Sequence, residues 1–447
     1  MQLSFLFLFH SPNASFPLSL RHLPPLALRG FSPSISRATA AAASPWPPRA
    51  RSLYRFAKAA KSEMSLLDRE RPQTVMEYLG KGGASVGDDL AILLVHIQYA
   101  CKRIASLVAS PFRSDLGRLA ANGGVGLSSS GRDAPKPLDI VANDIILSSL
   151  RSSAKVAVMA SEEDESPVWL TDDGEFVVVI DPLDGSRNID VSIPTGTIFG
   201  IYNRLLELDH LPVEEKAQLN SLQSGTRLVA AGYAMYSSAT ILCLSFGSGT
   251  HAFTLDNLTG DFVLTHPSMR IPPRGQIYSV NDARYFDWPD GLRQYIDTIR
   301  QGKGQVPKKY SARYICSLVA DFHLTLIYGG IVMNPRDHLR LVYEVNPLSF
   351  LVEHAGGRGS DGKTRILSIQ PVQLHQRLPL FLGSLDDMHE LESYENIQLK
   401  VNPGYDNNRV CQQNFCACDT GELQYFGSAI YACPWISHMI FSVVYAE

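Results

Sequence analysis

Two acidic segments, each placed directly after a short apolar run, constrain the fold of this chain more than any other feature. The apolar runs KVAVMA and FVVVI precede the acidic segments ASEEDES and DPLDGSRNID within 155–166 and 176–190. Short branched apolar runs are typical of strands that are buried on both faces of a sheet. Because ligands of open α/β sheets bind beyond the carboxyl ends of the strands, we expect the first carboxylates after each run to share one crevice. These carboxylates are Glu162, Glu163, Asp181 and Asp184.

Four neighbouring carboxylates repel one another and need a cation between them. An all-oxygen ligand set suits hard Mg²⁺ or Mn²⁺ rather than zinc. Gly185 and Ser186 follow at once, and their backbone N–H groups in a tight turn can receive phosphate oxygens. Either acidic segment alone is typical of a solvated turn. The pair, each behind a buried strand, favours metal-assisted hydrolysis of a phosphate ester.

Helical periodicity and turn residues locate the other elements. Apolar residues at helical spacing predict a long amphipathic helix over 85–110 and a second helix over 138–150. Residues 110–135 are rich in Gly and Ser and are predicted to form a loop. Five further runs are predicted to form antiparallel strands of a second sheet. They are 227–231, 241–245, 251–255, 261–265 and 276–280.

The N-terminal segment 1–62 differs in composition from the rest of the chain. It contains no Asp or Glu but six Arg, two Lys and ten Ser. An acid-free leader rich in Arg and Ser is typical of a transit peptide. Its first 20 residues carry no charge and include prolines, which disfavours a mitochondrial amphipathic helix and favours a plastid. The apolar run at 3–9 resembles a secretory core but lacks the positive flank.

The remaining composition is that of an ordinary globular protein. Of 447 residues, 45% are hydrophobic, and the formal net charge of −4 gives no electrostatic argument for nucleic acid binding. Three of the seven cysteines are expected to be small buried hydrophobes, namely Cys101, Cys243 and Cys316. The other four lie in the segment 402–447 and match no usual zinc spacing. We interpret this segment as an appended, disordered tail, because it shows neither heptads nor a recognisable metal spacing. Its apolar stretch 428–446 is too interrupted for a membrane span.

Several motifs together resemble those of fructose-1,6-bisphosphatases. They are SEED (161–164), DPLDGSRNID (181–190), GTIFGIY (196–202), LVAAGYAMYSSAT (228–240), YSARYICSLVAD (310–321), LRLVYEVNPLSFLVEHAGG (339–357) and HQRLPLFLGS (375–384). The resemblance covers about residues 74–405. It implies an α/β fold with a layered α-β-α-β-α architecture and two sheet-containing domains. The first, 70–265, would carry the metal site, and the second, 266–401, would bind the sugar phosphate.

The resemblance also implies roles for individual residues. The metal ligands would be Glu162, Asp181, the Leu183 carbonyl, Asp184 and Glu344. Asp133, helped by Glu163 and Asp139, would orient or deprotonate the attacking water. Arg340 would neutralise the scissile phosphate, since a guanidinium fits phosphate oxygens. The substrate-binding residues would be Gly185, Ser186, Asn281, Arg313, Tyr314 and, in a second role, Glu344.

The implied activity is Mg²⁺-dependent hydrolysis of the 1-phosphate of fructose 1,6-bisphosphate, which gives fructose 6-phosphate and phosphate. Mn²⁺ is a possible substitute for Mg²⁺. The protein would act in the chloroplast stroma as a homo-oligomer, either a tetramer or a dimer, without nucleic acid or membrane partners. Two alternatives stay open, a sedoheptulose-1,7-bisphosphatase and a weakly active regulatory relative. The segments SEED and NID favour the fructose enzyme.

Four positions and one shortened stretch near the expected substrate depart from the family pattern. A serine is replaced by Arg187, a tyrosine by Asn334, a lysine by His338, and a common arginine by Leu324. The stretch 281–287 is two residues short, so the second distal tyrosine is either lost or supplied by Tyr285. Because of these departures, the sequence specifies the type of reaction more closely than it specifies the bisphosphate substrate.

Two regulatory features of some family members are expected to be absent. The loop 205–225 corresponds to the cysteine-bearing loop of light-regulated plastid members, and it contains no cysteine. The AMP-binding lysine–tyrosine pair and arginine are replaced by Glu175, Phe176 and Asn203. Glu175 places a negative charge where a phosphate would need a cation. We therefore predict that activity is insensitive to dithiol reduction and to AMP.

Overall fold

The computed structural model describes residues 72–80, 86–110 and 137–398. Contacts divide the chain into two units, 1–70 and 71–447, and every described residue belongs to the second unit. The predicted transit peptide, the loop residue Asp133 and the tail 402–447 lie outside the described residues.

The first sheet has eight strands, and one of its strand pairs is parallel. The strands are β1 (Val156–Ser161), β2 (Val168–Trp169), β3 (Phe176–Asp184), β4 (Thr195–Asn203), β5 (Leu228–Tyr236), β6 (Thr240–Ser245), β7 (Thr250–Asp256) and β8 (Asp261–Met269). Their order is β2-β1-β3-β4-β5-β6-β7-β8. β1 and β3 run parallel, while the other neighbours are antiparallel. All six residues of β1 are buried, as expected of a strand covered on both faces.

Helices cover one face of this sheet. They are α1 (Val75–Gly80), α2 (Asp88–Val108) and α3 (Pro137–Ser153). Leu93 and Ile97 of α2 pack into one core with Val178 of β3, whereas Val177 belongs to the core on the opposite face. Among the described residues, α2 is long and apolar enough to cross a membrane by length and composition alone. Its apolar stripe is buried in the core, as in an amphipathic helix of a globular protein.

The second sheet has five strands in the order β10-β9-β11-β13-β12. They are β9 (Ile277–Ser279), β10 (Ser311–Ala312), β11 (Ile331–Arg340), β12 (Arg358–Ser360) and β13 (Arg377–Gly383). The remaining helices are α4 (Val213–Ser221), α5 (Asp290–Gln301), α6 (Leu318–Tyr328), α7 (Asn346–His354) and α8 (Leu385–Glu392).

The two sheets and the helices form five layers. Phe322 of α6 and Leu351 of α7 share a core with Val177 of the first sheet and Leu380 of the second. α5 and α8 pack on the other face of the second sheet, where Tyr295 and other apolar residues form a separate core. The order is therefore α-β-α-β-α, which confirms the predicted fold class.

The assignment of strands to sheets was wrong for four of the five runs predicted to form a second sheet. Those within 227–265 became β5 to β8, which extend the first sheet as an antiparallel meander. Only 276–280 entered the second sheet, as β9, and its pairs with β10 and β11 are parallel. Alternation predicts that a strand is half-buried, but it does not predict which sheet edge the strand joins. The proposed division at 265/266 stays a prediction.

Candidate functional site

A β-bulge at the end of β3 places two carboxylates on one side of the sheet. Asp181 pairs with Ile198 and Asp184 pairs with Gly196, so two residues of β3 lie opposite the single residue Thr197 of β4. Residues three apart on a regular strand point to opposite faces. The extra residue of the bulge reverses that parity, and both side chains can therefore serve one site.

The polar groups of the bulge are satisfied locally. Pro182 has no backbone N–H, so the bulge leaves no donor unpaired at this residue. Its carbonyl oxygen accepts a hydrogen bond from Thr197 Oγ1 at 2.8 Å, and Leu183 N donates to Asp181 Oδ1 at 3.1 Å. The Asp181 carboxylate is thereby oriented by the backbone of the same turn.

Two glutamates from other segments approach Asp181. The backbone N–H of Glu162, just after β1, donates to Ile180 O at 3.0 Å and so continues the parallel pairing with β3. Glu344 lies in a π-helical turn, Leu341–Val345, between β11 and α7. One ligand oxygen from each of Glu162, Asp181 and Glu344 lies within 4.8 Å of the others.

The pKa values of these carboxyl groups are raised by burial first and, for Asp181 and Glu344, also by neighbouring carboxylates. Burial raises the pKa of Asp181 well above its usual value, and the charges of Asp184 and Glu344 raise it further. Burial also raises the pKa of Asp184 to about 7 and, together with the charge of Asp184, the pKa of Glu344 to about 8. Buried carboxylates are ionised more easily when a cation compensates their charge.

A divalent cation fits this cluster. The buried Oδ2 atom of Asp184 has no hydrogen-bond partner among the described residues. The three clustered carboxylates and Asp184 offer only oxygen ligands, which hard cations such as Mg²⁺ and Mn²⁺ prefer.

A second polar group borders the cluster. Asp139, in the first turn of α3, accepts a hydrogen bond from Ser186 Oγ at 3.1 Å. Glu163 is close enough to Asp139 for their charges to interact, and burial, Asp139 and Asp164 raise its pKa to about 7. Gly185 adopts a left-handed conformation with φ 73°, which a side chain rarely tolerates, and it opens the 3₁₀ turn Ser186–Val191. The expected partner Asp133 lies outside the described residues.

Arg340 lies at the edge of the carboxylate cluster. Its guanidinium pairs directly with Glu162, and its backbone N–H donates to Glu344. The charge of Arg340 also lowers the pKa of Glu344, although less than burial raises it. The positive group predicted to meet a phosphate therefore lies beside the predicted metal ligands.

The residues predicted for the distal phosphate lie on two other segments. Asn281 caps the turn Asp282–Asp287, where its Oδ1 accepts from Ala283 N at 3.2 Å. Arg313 is exposed, and Tyr314 is 45% exposed. Tyr314 donates its hydroxyl to Cys316 Sγ at 3.4 Å.

Cys316 is not the buried hydrophobe that was expected. Its side chain is exposed and its φ of 65° is unusual for a residue with a side chain. Its carbonyl oxygen accepts a hydrogen bond from Asn188 Nδ2 at 2.7 Å. Asn188 therefore connects the turn after Gly185 to the segment that carries Tyr314. The apolar neighbours of Cys316 in the sequence gave no indication of this turn.

Two further residues that support the site were missed from the sequence. Thr197 donates a hydrogen bond to Pro182 O in the bulge, and Asp321 at the start of α6 accepts a hydrogen bond from Ile315 N at 2.9 Å. Asp321 lies in the first helical turn after Ser317, and an acidic residue there is a sequence signal for the start of a helix. No local pattern marks Thr197, because its partner is on the neighbouring strand.

Two of the positions that depart from the family pattern, Arg187 and His338, are exposed. Tyr285, the candidate replacement for a distal tyrosine, donates its hydroxyl to Asp297 at 2.5 Å.

At the other end of β3, Phe176 pairs across the sheet with Asn203, and Glu175 next to it is exposed.

Comparisons with known proteins give a consistent family. The family description "Fructose-1-6-bisphosphatase, N-terminal domain" matches residues 73–267, and "Fructose-1-6-bisphosphatase, C-terminal domain" matches residues 271–396. The chloroplastic fructose-1,6-bisphosphatase of Spinacia oleracea is 47% identical over 324 residues, which cover 68% of this chain and 77% of the relative. Fructose-1,6-bisphosphatase 1, chloroplastic, of Arabidopsis thaliana is 46% identical over 323 residues, with coverages of 68% and 76%. The holo structure of Leishmania major fructose-1,6-bisphosphatase superposes with a TM-score of 0.64 at 36% identity and covers 72% of this chain and 98% of that one.

Proposed function

The chain belongs to the fructose-1,6-bisphosphatase family, and on that premise we propose how its residues carry out the reaction. The protein is a phosphoric monoester hydrolase that converts fructose 1,6-bisphosphate to fructose 6-phosphate and phosphate, a step of carbohydrate metabolism. The predicted family and activity are confirmed. The residue roles, the identity of the metal and the assembly belong to the proposal.

One observation carries the assignment of the catalytic centre. The carboxylates of Glu162, Asp181 and Glu344 converge next to the turn that starts at Gly185. Members of the family use divalent metal ions, and Mg²⁺ is the proposed ion here, with Mn²⁺ as a substitute. The proposed ligands are Glu162, Asp181, the Leu183 carbonyl, Asp184 and Glu344. When bound, such a cation polarises a phosphate oxygen and lowers the pKa of water.

Side chains and backbone groups around the cluster act on the substrate and the water. Backbone N–H groups of Gly185 and Ser186 bind oxygens of the scissile phosphate, and Arg340 neutralises its charge. Asp139 and Glu163, together with Asp133, orient the attacking water and accept its proton. The Ser186–Asp139 hydrogen bond supports this arrangement, because it holds the phosphate turn against the first turn of α3.

The second phosphate of the substrate is assigned to another set of residues. Asn281, Arg313 and Tyr314 bind the 6-phosphate in this proposal. The Asn188–Cys316 hydrogen bond supports it, because it connects the segment of Tyr314 to the turn of the scissile phosphate. Two phosphate sites held at a fixed distance select a bisphosphate over a monophosphate.

We propose a homo-oligomer, either a tetramer or a dimer, which the resemblance to the family implies, and a location in the chloroplast stroma. The relatives named above include chloroplastic forms, and a chloroplast stromal location is consistent with the acid-free leader 1–62.

The decisive experiment is an assay of phosphate release from fructose 1,6-bisphosphate and sedoheptulose 1,7-bisphosphate, with Mg²⁺, Mn²⁺ or a chelator. We expect metal-dependent release that is faster with the fructose substrate. Faster release from the sedoheptulose substrate would reassign the substrate and leave the centre intact. Release that persists in chelator would contradict the metal site. Absence of release from both substrates would support the weakly active relative.

A further inference from the structure

A buried hydroxyl group supports the turn that carries the two aspartates. Thr197 of β4 is fully buried, and its Oγ1 lies 2.8 Å from Pro182 O and 2.7 Å from the hydroxyl of Tyr236. Tyr236, on β5, is buried too and belongs to the same core as Cys101 of α2. Two buried hydroxyl groups from neighbouring strands thus lead to the bulge.

The directions of these hydrogen bonds follow from the number of protons. A carbonyl oxygen can only accept, so the single hydroxyl proton of Thr197 points to Pro182. Thr197 Oγ1 must then accept the proton of Tyr236. Both bonds run the same way and end on the carbonyl of the turn. Aligned buried hydrogen bonds strengthen one another and favour a single geometry.

The carbonyl at the end of this chain belongs to the bulge itself. Pro182 is one of the two residues of β3 that lie opposite one residue of β4, where a bulge disrupts the ladder. The Thr197 hydroxyl donates to its carbonyl. We propose that Thr197 is a positioning residue of the metal site, which fixes the bulge and thereby keeps Asp181 and Asp184 on one side of the sheet. The proposal rests on the metal site assigned above.

The test measures metal affinity without substrate or turnover. Thr197→Val keeps the shape of the side chain and removes the donor. Binding of Mn²⁺ to the substrate-free full chain is followed by the electron paramagnetic resonance signal of free Mn²⁺. We expect Thr197→Val to weaken binding by about tenfold, on the scale of one buried hydrogen bond. Thr197→Ser, which keeps the hydroxyl, should bind within about threefold of the wild type on the same scale.

Thr195→Val is the matched control. Thr195 lies two residues earlier on β4, on the same face, and is equally buried. Its Oγ1 has no hydrogen-bond partner among the described residues, so the substitution should leave Mn²⁺ affinity unchanged. Wild-type affinity in Thr197→Val, or an equal loss in Thr195→Val, would overturn the proposal.

Tyr236→Phe provides a second variant if Thr197→Val does not fold. It removes the donor to Thr197 but keeps the Thr197–Pro182 bond, so we expect a smaller loss than tenfold, of about threefold. Unchanged affinity in Tyr236→Phe would then count against the proposal. If the wild-type protein itself binds no Mn²⁺, both the proposed metal site and this inference are wrong. Wild-type binding with no effect of either variant would overturn this inference alone.

Discussion

Asp181 combines a charge with a local hydrogen bond, and the two can be separated. Its side chain is 2% exposed, and Oδ1 accepts from Leu183 N. An asparagine at this position can keep that hydrogen bond through its side-chain oxygen while it loses the charge. The substitution therefore tests the electrostatic role of the residue more than its part in the turn.

We expect Asp181→Asn to lower kcat by at least about a hundredfold, the scale for loss of a key electrostatic group in an active site. Phosphate release at saturating Mg²⁺ measures the effect. Asp173→Asn is the control, because Asp173 is an exposed carboxylate in the turn before β3. Turnover of Asp181→Asn near that of the control would refute the role of Asp181 as a metal ligand.

Regular elements of this protein follow from its sequence, and the irregular ones do not. Helical periodicity over 85–110 predicted α2, and the apolar run at 176–180 predicted the start of β3. A hydroxyl from β4 hydrogen-bonds to the bulge in β3, and Glu344 lies in a π-helical turn. Such irregularities are frequent at functional sites and depend on tertiary contacts, so a pattern read along one strand or helix does not show them.

The prediction that AMP does not inhibit the protein concerns residues at the ends of β3 and β4. Phe176 and Asn203 are cross-strand partners, and the exposed Glu175 adjoins them. A carboxylate repels a phosphate, and the cations that would bind one are missing from these three positions. We expect millimolar AMP to leave the rate unchanged in a phosphate-release assay. The triple variant Glu175→Lys, Phe176→Tyr, Asn203→Arg should gain inhibition.

Micromolar inhibition of the wild-type protein by AMP would contradict this prediction. It would show that a nucleotide site is built from other residues. A triple variant that folds, turns over and stays insensitive would show that these three positions do not suffice for such a site.

The segment 205–225 carries the prediction on redox control. It forms α4 and short turns between β4 and β5, and it contains no cysteine. A disulfide needs two thiols with Cα atoms within about 7 Å, and this segment supplies none. We expect equal activity before and after treatment with reduced thioredoxin. Strong activation would contradict this, and a Cys316→Ala variant would then test the exposed thiol.

At the scale of the whole molecule, strand order was the part that the sequence left undetermined. Each predicted run in 227–265 became a strand, but all of them joined the sheet that already contained β1 and β3. Sheet membership depends on which edge remains free when each strand arrives. Here β5 paired with β4, the strand before it, and β6 to β8 followed in chain order, but the polar and apolar pattern of a single strand does not show which edge it joins.

The tail 402–447 carries the last prediction at this scale. It lies outside the described residues and outside the region that matches the family. We expect truncation after Tyr405 to leave kcat, KM and the thermal unfolding midpoint unchanged. Assays and calorimetry of the full and truncated chains test this. A midpoint lowered by several degrees would show that the tail packs on the folded part.

The carboxylate cluster draws its members from distant parts of the chain, Glu162 after β1, Asp181 in β3 and Glu344 after β11. An unfolded chain holds no such constellation, so a cation bound there is a ligand of the native state alone. Mass action then stabilises the fold, by about 2.7 kcal/mol when free cation is a hundredfold above its dissociation constant. Resistance to thermal unfolding and to proteolysis should therefore rise and fall with the concentration of free cation, even when no substrate is present.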